Sequence, residues 1–494
     1  MTGENELQPG DRDYFRILNE FAFRNPFEKE ALMLAHKLAG TSYPAGDQLR
    51  AAVYETIKKR LGKVTDNGEL TWKHFVGEDR YLVRHAFMHD SYYRCFAKFD
   101  DFILRQIRGD LSDHPVAFAE ETLSLMRKRG FSVDVSLRYF SLFYQLRRAW
   151  YYINHGLIGK SRSMGTLRSH LWRSCFTSFP KLYEQFMWDR MEDFSTFLVG
   201  ETGTGKGTAA TAIGRSGFIP FNEKTASFGE RFTDNFIEIN LSQFPESLIE
   251  SELFGHRKGA FTGAVDNHEG IFALCRPHGA IFLDEIGDVS IPIQIKLLKV
   301  LEDRSFSPVG GHNKLHFHGR IVTATNKSMV ELEQRKTFRE DFYYRLCSNV
   351  IHVPTLRQQI HEDSSTLEAL LAHTIFRITG QPVPELLDTV MGILARDVGP
   401  DYDWPGNVRE LEQAVRSILL TLHYSRNRSG AAGYTDEIYR AVEKEAVNAR
   451  ELVSIYCSIL YRKYGTYEKV AQITNLDPRT VKKNVQAFIR RAGL

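Results

Sequence analysis

One stretch limits the possible folds more than any other: a strand-like apolar run that leads directly into a glycine-rich turn and a helix. The run is Phe194 to Val199, and the turn GETGTGK, which ends at Lys206, fits the pattern G-x-x-x-x-G-K. Glycines let backbone N–H groups curl around a phosphate, and the helix N-terminus adds positive potential. The pattern therefore predicts a nucleotide phosphate site made of Gly200, Glu201, Thr202, Gly203, Thr204, Gly205, Lys206, Gly207 and Thr208.

Gly207 departs from the usual pattern, in which serine or threonine follows the lysine. A hydroxyl ligand for magnesium is therefore missing at that position, or Thr208 supplies it.

A second apolar run ends in two acids. Ala280 to Leu283 reads as a buried strand, and Asp284 and Glu285 follow it. An acid at the carboxyl end of a strand can hold a metal ion, and its neighbour can polarise an attacking water. The alternative is an apolar strand that ends in two solvated acids. With the phosphate loop upstream, we expect a nucleotide hydrolase with Asp284 as the metal ligand.

Further apolar runs alternate with helical patterns. The runs are Phe236–Asn240, Arg320–Thr325 and Asn349–Val353, and Ile293–Leu301 is one of the helical stretches. Alternation of this kind predicts a parallel sheet flanked by helices.

The segment ESELFGHRKGAFTGA, residues 250–264, lies between the two halves of the predicted site. In its last six residues one large aromatic, Phe261, stands among small residues, with glycines that allow sharp turns. Taken alone, this is a surface loop whose phenylalanine packs back into the core.

Length and composition limit the number of domains and the kinds of partner and compartment to expect. A chain of 494 residues is long enough for about three domains, and a net charge of +3 confines any nucleic-acid binding to a local surface. No apolar run of about 18 residues is present, which predicts a cytoplasmic protein without a membrane segment. The five scattered cysteines fit the same compartment.

Residues 1–155 read as a mainly helical domain with dense aromatics at helical spacing, more typical of a core than of a ligand pocket. His85 and His89 are four residues apart, so on a helix they share a face that suits a metal, but no convincing third ligand accompanies them. The region lacks the alternation of strands and helices that would indicate a receiver domain.

The C-terminal region, residues 434–494, reads as a linker-bounded helical domain. A helix is expected from about Thr435 to Tyr464, then a short helix Tyr467 to Thr474, a turn, and a second helix from Pro478. Val481 and Val485 mark its buried face, which predicts a helix-turn-helix that offers its second helix to DNA. The alternative is a solvated basic helix. The residues left outward are Arg479, Thr480, Lys482, Lys483 and Gln486.

The central region resembles the AAA+ domain of bacterial enhancer-binding proteins, the activators of sigma-54 RNA polymerase. The resemblance covers roughly residues 157–422 through GETGTGKG, ESELFGHRKGAFTGA, IFLDEIGD, IQIKLLKVLED, RIVTATN, FREDFYYRL and WPGNVREL. It implies an α/β AAA+ P-loop NTPase core over residues 157–424, with a parallel sheet and a helical lid from about residue 356. It also implies ATP and Mg²⁺ as cofactors.

The resemblance assigns roles to individual residues. Lys206 binds phosphates, Asp284 organises magnesium and Glu285 acts on the attacking water. Asn240 pairs with that glutamate. Asn326 and Arg409 are assigned as nucleotide sensors. Arg339 and Arg345 are assigned as arginine fingers that act on the nucleotide of a neighbouring subunit. These two arginines could instead form ion pairs within the chain. The sigma-54 contact is formed by Gly259, Ala260, Phe261, Thr262, Gly263 and Ala264.

Two segments are longer than the family pattern, residues 163–194 and 216–235, and both are expected to be surface insertions. Gly207 also replaces an acidic residue common in the family.

Three functions follow from these features. The leading hypothesis is a sigma-54-dependent transcriptional activator that binds upstream, enhancer-like double-stranded DNA and remodels the sigma-54 RNA polymerase holoenzyme as a hexameric ring driven by ATP hydrolysis. The second is a DNA-binding regulator that uses nucleotide only as a conformational signal. The third is an ATPase that remodels some other protein.

Overall fold

The computed structural model describes residues 5–40, 46–66, 70–110, 115–334, 338–424 and 448–492. The chain divides into two compact units, Met1–Leu420 and Thr421–Leu494. No helix in the described ranges combines the length and the apolar character needed to cross a membrane.

The N-terminal region is helical, as its sequence predicts. Helix α6 starts where the Ser132 hydroxyl accepts a hydrogen bond from Val135 N, a cap that satisfies one free donor of the first turn. The 32-residue helix α4 ends at Gly109, which adopts a left-handed conformation. The bounds are α1 Pro9–Ala22, α2 Lys29–Ala39, α3 Asp47–Val64, α4 Gly77–Arg108, α5 Ala119–Lys128 and α6 Val133–His155.

A parallel sheet of five strands forms the centre of the first unit. Its order is β4-β5-β8-β1-β9, and every neighbouring pair is parallel. Strands β1 and β8 are buried along their whole length because helices cover both faces. The bounds are β1 Thr196–Val199, β4 Phe236–Asn240, β5 Ala280–Asp284, β8 Arg320–Thr325 and β9 Val350–His352, with short hairpins of β2 Phe221–Asn222 and β3 Ser227–Phe228, and of β6 Ser305–Phe306 and β7 Leu315–His316. The five predicted strands are confirmed to within two residues at each end.

Helices of the central region surround this sheet and continue into a helical segment after β9. The bounds are α7 Arg162–Phe176, α8 Pro180–Leu182, α9 Lys206–Gly214, α10 Glu246–Phe254, α11 Ile271–Leu274, α12 Ile291–Asp303, α13 Met329–Gln334, α14 Glu340–Leu346, α15 Leu356–Glu362, α16 Ser365–Thr379, α17 Pro384–Asp397 and α18 Asn407–Thr421. The predicted start of the helical lid, about residue 356, coincides with the start of α15.

The two faces of the sheet belong to different hydrophobic cores. Alternate residues of each strand point to opposite faces, so Leu198 and Phe282 join one core and Phe197 and Ile281 join the other. The first core is continuous with the N-terminal helices and includes Phe140 of α6. The N-terminal region is therefore packed onto the central sheet through shared apolar side chains. The predicted domain boundary at residue 155 stays a prediction.

The expectation of two surface insertions is wrong for part of each segment. Within residues 163–194, Leu167 and Leu171 of α7 are buried. Within residues 216–235, the β2–β3 hairpin places the ring of Phe221 4.8 Å and that of Phe228 5.9 Å from Phe140, centroid to centroid. Part of each segment packs between the N-terminal helices and the sheet, where Phe176, Phe221 and Phe232 are buried, whereas Phe179 and Phe186 are exposed.

The C-terminal unit has its own small core. The predicted start of its first helix falls outside the described residues, and the described part begins at α19, which Asn448 and Glu451 cap reciprocally. Val481 and Val485 are buried, as predicted, against Val470. The bounds are α19 Ala449–Tyr464, α20 Tyr467–Thr474 and α21 Pro478–Ala492.

Candidate functional site

The glycine-rich loop connects β1 to α9 in the conformation that a phosphate cradle needs. Gly203 and Gly205 have φ of +80° and +97°, values that side chains rarely tolerate. The Lys206 ammonium lies inside the loop and donates to the carbonyl oxygens of Gly200 at 2.8 Å and Glu201 at 3.2 Å. Burial lowers the pKa of Lys206. The loop therefore holds one desolvated cation where phosphates are expected.

Close approach of the helical lid explains why position 203 is glycine. A Cβ at Gly203 would lie 2.3 Å from the carbonyl oxygen of Gly406 and 3.0 Å from the Cβ of Arg409. Val408 N also donates to the Gly203 carbonyl at 3.0 Å. The exposed Arg409, predicted as a sensor, therefore lies beside the phosphate loop.

Asn407 ties the lid to the loop, a role that sequence reasoning missed. Its buried amide donates to Glu201 Oε2 and to the Thr202 carbonyl, both at 3.1 Å, and its Oδ1 accepts from Leu356 N at 2.8 Å. Arg357 forms an ion pair with Glu201 and lowers the pKa of that carboxyl. The signal was present in WPGNVREL, where Asn407 stands between Gly406 and Val408, both of which contact Gly203.

Asp284 and Glu285 lie at the carboxyl end of β5, as predicted. Glu285 has a φ of +56°, an uncommon conformation for a residue with a side chain, and its N–H donates to Asp284 Oδ1 at 3.0 Å. Strain of this kind concentrates at functional sites. Burial is the largest cause that raises the pKa of Glu285, and Asp284 raises it further.

Asn326 connects the acid to the loop. Its N–H donates to Glu285 Oε2 at 3.3 Å, and its Nδ2 donates to the Thr202 hydroxyl, also at 3.3 Å. The side chain predicted as the first sensor therefore bridges the two halves of the site.

A third acid, Glu238 of β4, was not singled out from the sequence. Its Oε1 would lie 3.5 Å from a Cβ at Gly207. Partial desolvation and the nearby Asp284 raise the pKa of Glu238. The neighbouring strand thus places a carboxylate beside the position where Gly207 lacks the acidic side chain expected from the family.

Asn240 and the two candidate fingers make other contacts within the chain. Asn240 faces Asp284 across the β4–β5 register, but its Oδ1 accepts hydrogen bonds from Ser242 N and Oγ. Arg339 donates to the Asp341 carboxylate at 2.6 Å, and Arg345 donates to the Leu301 carbonyl at 2.8 Å. Their roles in hydrolysis stay predictions.

The GAFTGA segment forms a compact loop after α10. Gly259 N donates to the Ala264 carbonyl at 2.9 Å, and Gly259 and Gly263 both have positive φ. Phe261 is 38% exposed, and its ring meets His256 edge-on at 4.9 Å between centroids. The phenylalanine is therefore neither buried in the core nor free, and Thr262 is exposed beside it.

Residues 177–352, which contain the phosphate loop, the paired acids and the GAFTGA segment, match the family model of the sigma-54 interaction domain. The chain therefore contains a sigma-54 interaction domain, the domain that its sequence resembles in bacterial enhancer-binding proteins. The interaction domain is of the AAA+ ATPase family.

The chain is 38% identical over 228 residues to the DNA-binding transcriptional regulator NtrC of Azospirillum brasilense, a match that covers 46% of this chain and 43% of NtrC. It is 35% identical over 261 residues to the regulatory protein AtoC of Escherichia coli K12, covering 52% of this chain and 50% of AtoC. The chain thus spans about half the length of the curated relatives it matches.

Among solved structures, NtrX from Brucella abortus in complex with ADP aligns over 75% of this chain and 80% of NtrX, with 20% identity and a TM-score of 0.42. So loose an overlap adds nothing to the description of the site.

The residues of this site fit a magnesium nucleotide. Mg²⁺ is commonly held by one or two carboxylates together with substrate phosphates. Asp284 at the strand end and the cradle around Lys206 provide both surroundings. His85 is engaged elsewhere, because its Nδ1 bonds to the Tyr81 carbonyl at 2.8 Å. Within the described ranges, no group of three His, Cys, Asp or Glu side chains is arranged as a metal cluster.

Proposed function

We propose that this protein is a transcriptional activator that hydrolyses ATP in an oligomeric ring, hexameric by family resemblance, and uses the GAFTGA loop to remodel sigma-54 RNA polymerase at promoters. The observation that supports it best is an exposed Phe261–Thr262 loop tip carried on the same domain as an assembled P-loop and acid pair.

The side chains divide the chemistry of hydrolysis among them. Lys206 binds the outer phosphates, and Asn326 holds Glu285 in reach of the phosphate loop. The raised pKa of Glu285 makes its carboxylate a stronger base toward the proton of the attacking water. Asp284 would hold Mg²⁺, which when bound would neutralise charge on the phosphates. Arg339 and Arg345 are proposed to leave their contacts within the chain and serve a neighbouring subunit.

Coupling to the loop follows from the architecture. Helix α10 begins six residues after the end of β4, and four residues separate its end from the GAFTGA segment, so the strand that carries Glu238 and Asn240 connects to that segment through one short helix. A change at the nucleotide can therefore reach Phe261 through a short continuous path.

DNA binding is proposed for the C-terminal unit as a helix-turn-helix. Asn475 with a φ of +54° makes the turn between α20 and α21, and Arg479 N donates to Asp477 Oδ1 at 2.8 Å as a helix cap. The face of α21 opposite Val481 is exposed and basic. Its residues are Arg479, Thr480, Lys482, Lys483 and Gln486.

The test separates hydrolysis from promoter opening. In the full chain, Thr262→Ala should retain ATP turnover and lose open-complex formation with purified sigma-54 RNA polymerase. Thr389→Ala, at an exposed threonine of α17, is the matched control and should change neither. Promoter opening at the wild-type level by Thr262→Ala would contradict the role given to the loop. Failure of the wild-type protein to bind sigma-54 with a transition-state analogue of ATP would favour an ATPase for another target.

The alternative regulator that only senses nucleotide has no turnover to lose. We expect Glu285→Gln to reduce ATP turnover at least about 100-fold while nucleotide still binds, because the general base is removed and the shape is kept. Glu302→Gln, at an exposed position of α12, is the control. Absence of turnover in the wild-type chain would support the alternative.

A further inference from the structure

A cavity of about 430 Å³ lies among the N-terminal helices, away from the residues used by the proposed function. Segments of α1 to α4, α6 and α7 line it, and its walls are mostly aromatic or aliphatic. Protein interiors are normally packed with few voids larger than a water molecule, whereas small-molecule sites typically have about 300–1,000 Å³. The volume therefore indicates a ligand site rather than a packing defect.

Two guanidinium groups meet at one part of this cavity. Arg147 of α6 lies 3.6 Å and Arg50 of α3 lies 4.6 Å from the centroid of the same ring, that of Phe96. Arg147 is bound by Asp100, and Arg50 pairs with Asp47. Both acids are on the solvent side, with 36% and 91% of their side chains exposed. Burial and the neighbouring Arg147 lower the pKa of Arg50. An anion inside the cavity would relieve the repulsion between the two cations.

A further polar group lines the cavity without a partner. His89 Nδ1 is shielded from water and has no hydrogen-bond partner in the described part of the chain, unlike Nδ1 of His85 one turn earlier. Burial lowers the pKa of His89 to about 4, so the imidazole is neutral at pH 7. A buried polar atom left without a hydrogen bond destabilises the folded protein. A ligand that bonds to it would remove that destabilisation.

We propose that this cavity binds a small, mainly apolar molecule that contains a ring system and carries one acidic group, with the acid directed to Arg50 and Arg147. The ring system lies among the aromatic walls that include Trp150 and Trp172, and His89 bonds to it or to its substituent.

Helix α6 connects this site to the ATPase. Leu142, Leu146 and Trp150 line the cavity, while Arg148 of the same helix donates to the Arg215 and Gly217 carbonyls at 3.0 and 2.6 Å. Those carbonyls follow the C-terminal end of α9, the helix that starts at Lys206. A ligand in the cavity therefore contacts the helix that holds the far end of the phosphate-loop helix.

The test uses two dyes on the full chain with excess ADP present. The dye 8-anilinonaphthalene-1-sulfonate has a ring system and one anionic group, and N-phenyl-1-naphthylamine has the same rings without the anion. We expect saturable binding of the sulfonate, one molecule per chain, with energy transfer from tryptophan because Trp150 and Trp172 line the cavity. Non-saturable binding would overturn the proposal.

Two substitutions should reduce the volume, and one should remove a charge. Ala35→Phe fills the interior and Leu32→Trp narrows the cavity from a position that is 40% exposed, so the second variant keeps the test valid if the first does not fold. Both substitutions should weaken binding of the sulfonate dye at least about tenfold. Arg50→Gln should weaken the sulfonate dye about tenfold and leave the neutral dye unchanged.

Lys58→Gln, on the exposed side of α3, is the control for lost charge and should bind both dyes like the wild type. If folded Leu32→Trp binds the sulfonate dye as tightly as the wild type, the cavity is not the binding site. Equal loss of both dyes in Arg50→Gln would exclude the acid-binding part.

Discussion

Helices α1–α6 share one hydrophobic core with a face of the central sheet, which they reach through α6, whereas α19–α21 form a separate core around Val481 and Val485. In the first case Phe140 packs on the β2–β3 hairpin, and Arg148 binds carbonyls beyond the end of α9. The difference teaches that the two flanking regions can influence the ATPase in different ways. The N-terminal region shares its interior with the central sheet, and the C-terminal region has a core of its own.

The largest effect is expected when each flanking region is deleted in turn. Deletion of residues 1–155 should leave no cooperatively folding ATPase, because the face of the sheet that carries Leu198 and Phe282 loses the helices that cover it. Truncation after Tyr424 should leave the thermal unfolding midpoint of the first unit unchanged. Circular dichroism melts of both proteins measure this. A soluble, cooperatively melting protein without residues 1–155 would show that the shared core is dispensable.

A single side chain at the junction gives the next largest effect. Arg148 is 1% exposed, and its replacement by Met removes two charge-assisted hydrogen bonds and leaves two carbonyls unpaired. We expect a loss of about 3 kcal/mol in the free energy of unfolding. Arg105→Met, on an exposed part of α4, should cost less than about 1 kcal/mol. Denaturant titrations measure the free energy of unfolding of the two variants. An equal loss in both would contradict the stabilising role of Arg148 at the junction of α6 and α9.

The N-terminal interior should also respond to acid. The pKa of His89 is about 4 in the folded protein and 6.5 in an unfolded chain, and the facing groups are Phe21, Tyr93 and His85. Between these values the unfolded chain takes up a proton that the folded protein does not, so stability falls as the pH falls from 6.5 toward 4. We expect this group to contribute a loss of about 1–2 kcal/mol between pH 7.5 and 5.

The measurement is the loss of unfolding free energy between pH 7.5 and 5. In His89→Phe this loss should be smaller than in the wild type by the amount that His89 contributes. Identical pH dependence in both proteins would mean that His89 is not buried neutral.

The smallest expected effect is at the other end of the chain. Lys482→Gln on α21 should weaken DNA binding by about threefold to tenfold and flatten the salt dependence by about one counterion, because one phosphate contact is lost. Lys469→Gln on α20 is also exposed and serves as the control. Fluorescence anisotropy at several salt concentrations distinguishes them. An equal effect of both changes would indicate a solvated basic helix without a recognition face.

Local sequence patterns predicted the parts of the fold that depend on local chemistry. The ends of β4 at Asn240 and of β8 at Thr325, and the turn before Pro478, follow from apolar runs and caps. The placement of Asp284 and Lys206 follows from the topology of a parallel sheet. These features need only neighbours in the chain or one repeated rule of strand geometry.

Contacts between distant single residues could not be predicted in the same way. Glu238 lies near Gly207 because β4 is brought toward α9, and Phe228 packs on Phe140 because the hairpin folds back onto α6. Neither pair has a periodic signal. The extra length of residues 216–235 was visible, but length alone does not distinguish an exposed loop from a segment that fills an interior.

The nine-residue helix α9 has a thermodynamic consequence. It is only about 13 Å long, with the phosphate loop at its beginning and Arg148 bound just past its end. Two ligands that shift the equilibrium of one rigid element must affect each other by the same factor. If an acid in the N-terminal cavity changes the affinity for ATP, then ATP changes the affinity for that acid equally. The nucleotide would then act as a co-effector of the cavity, and the cell's ratio of ATP to ADP would set the concentration at which the small molecule is sensed.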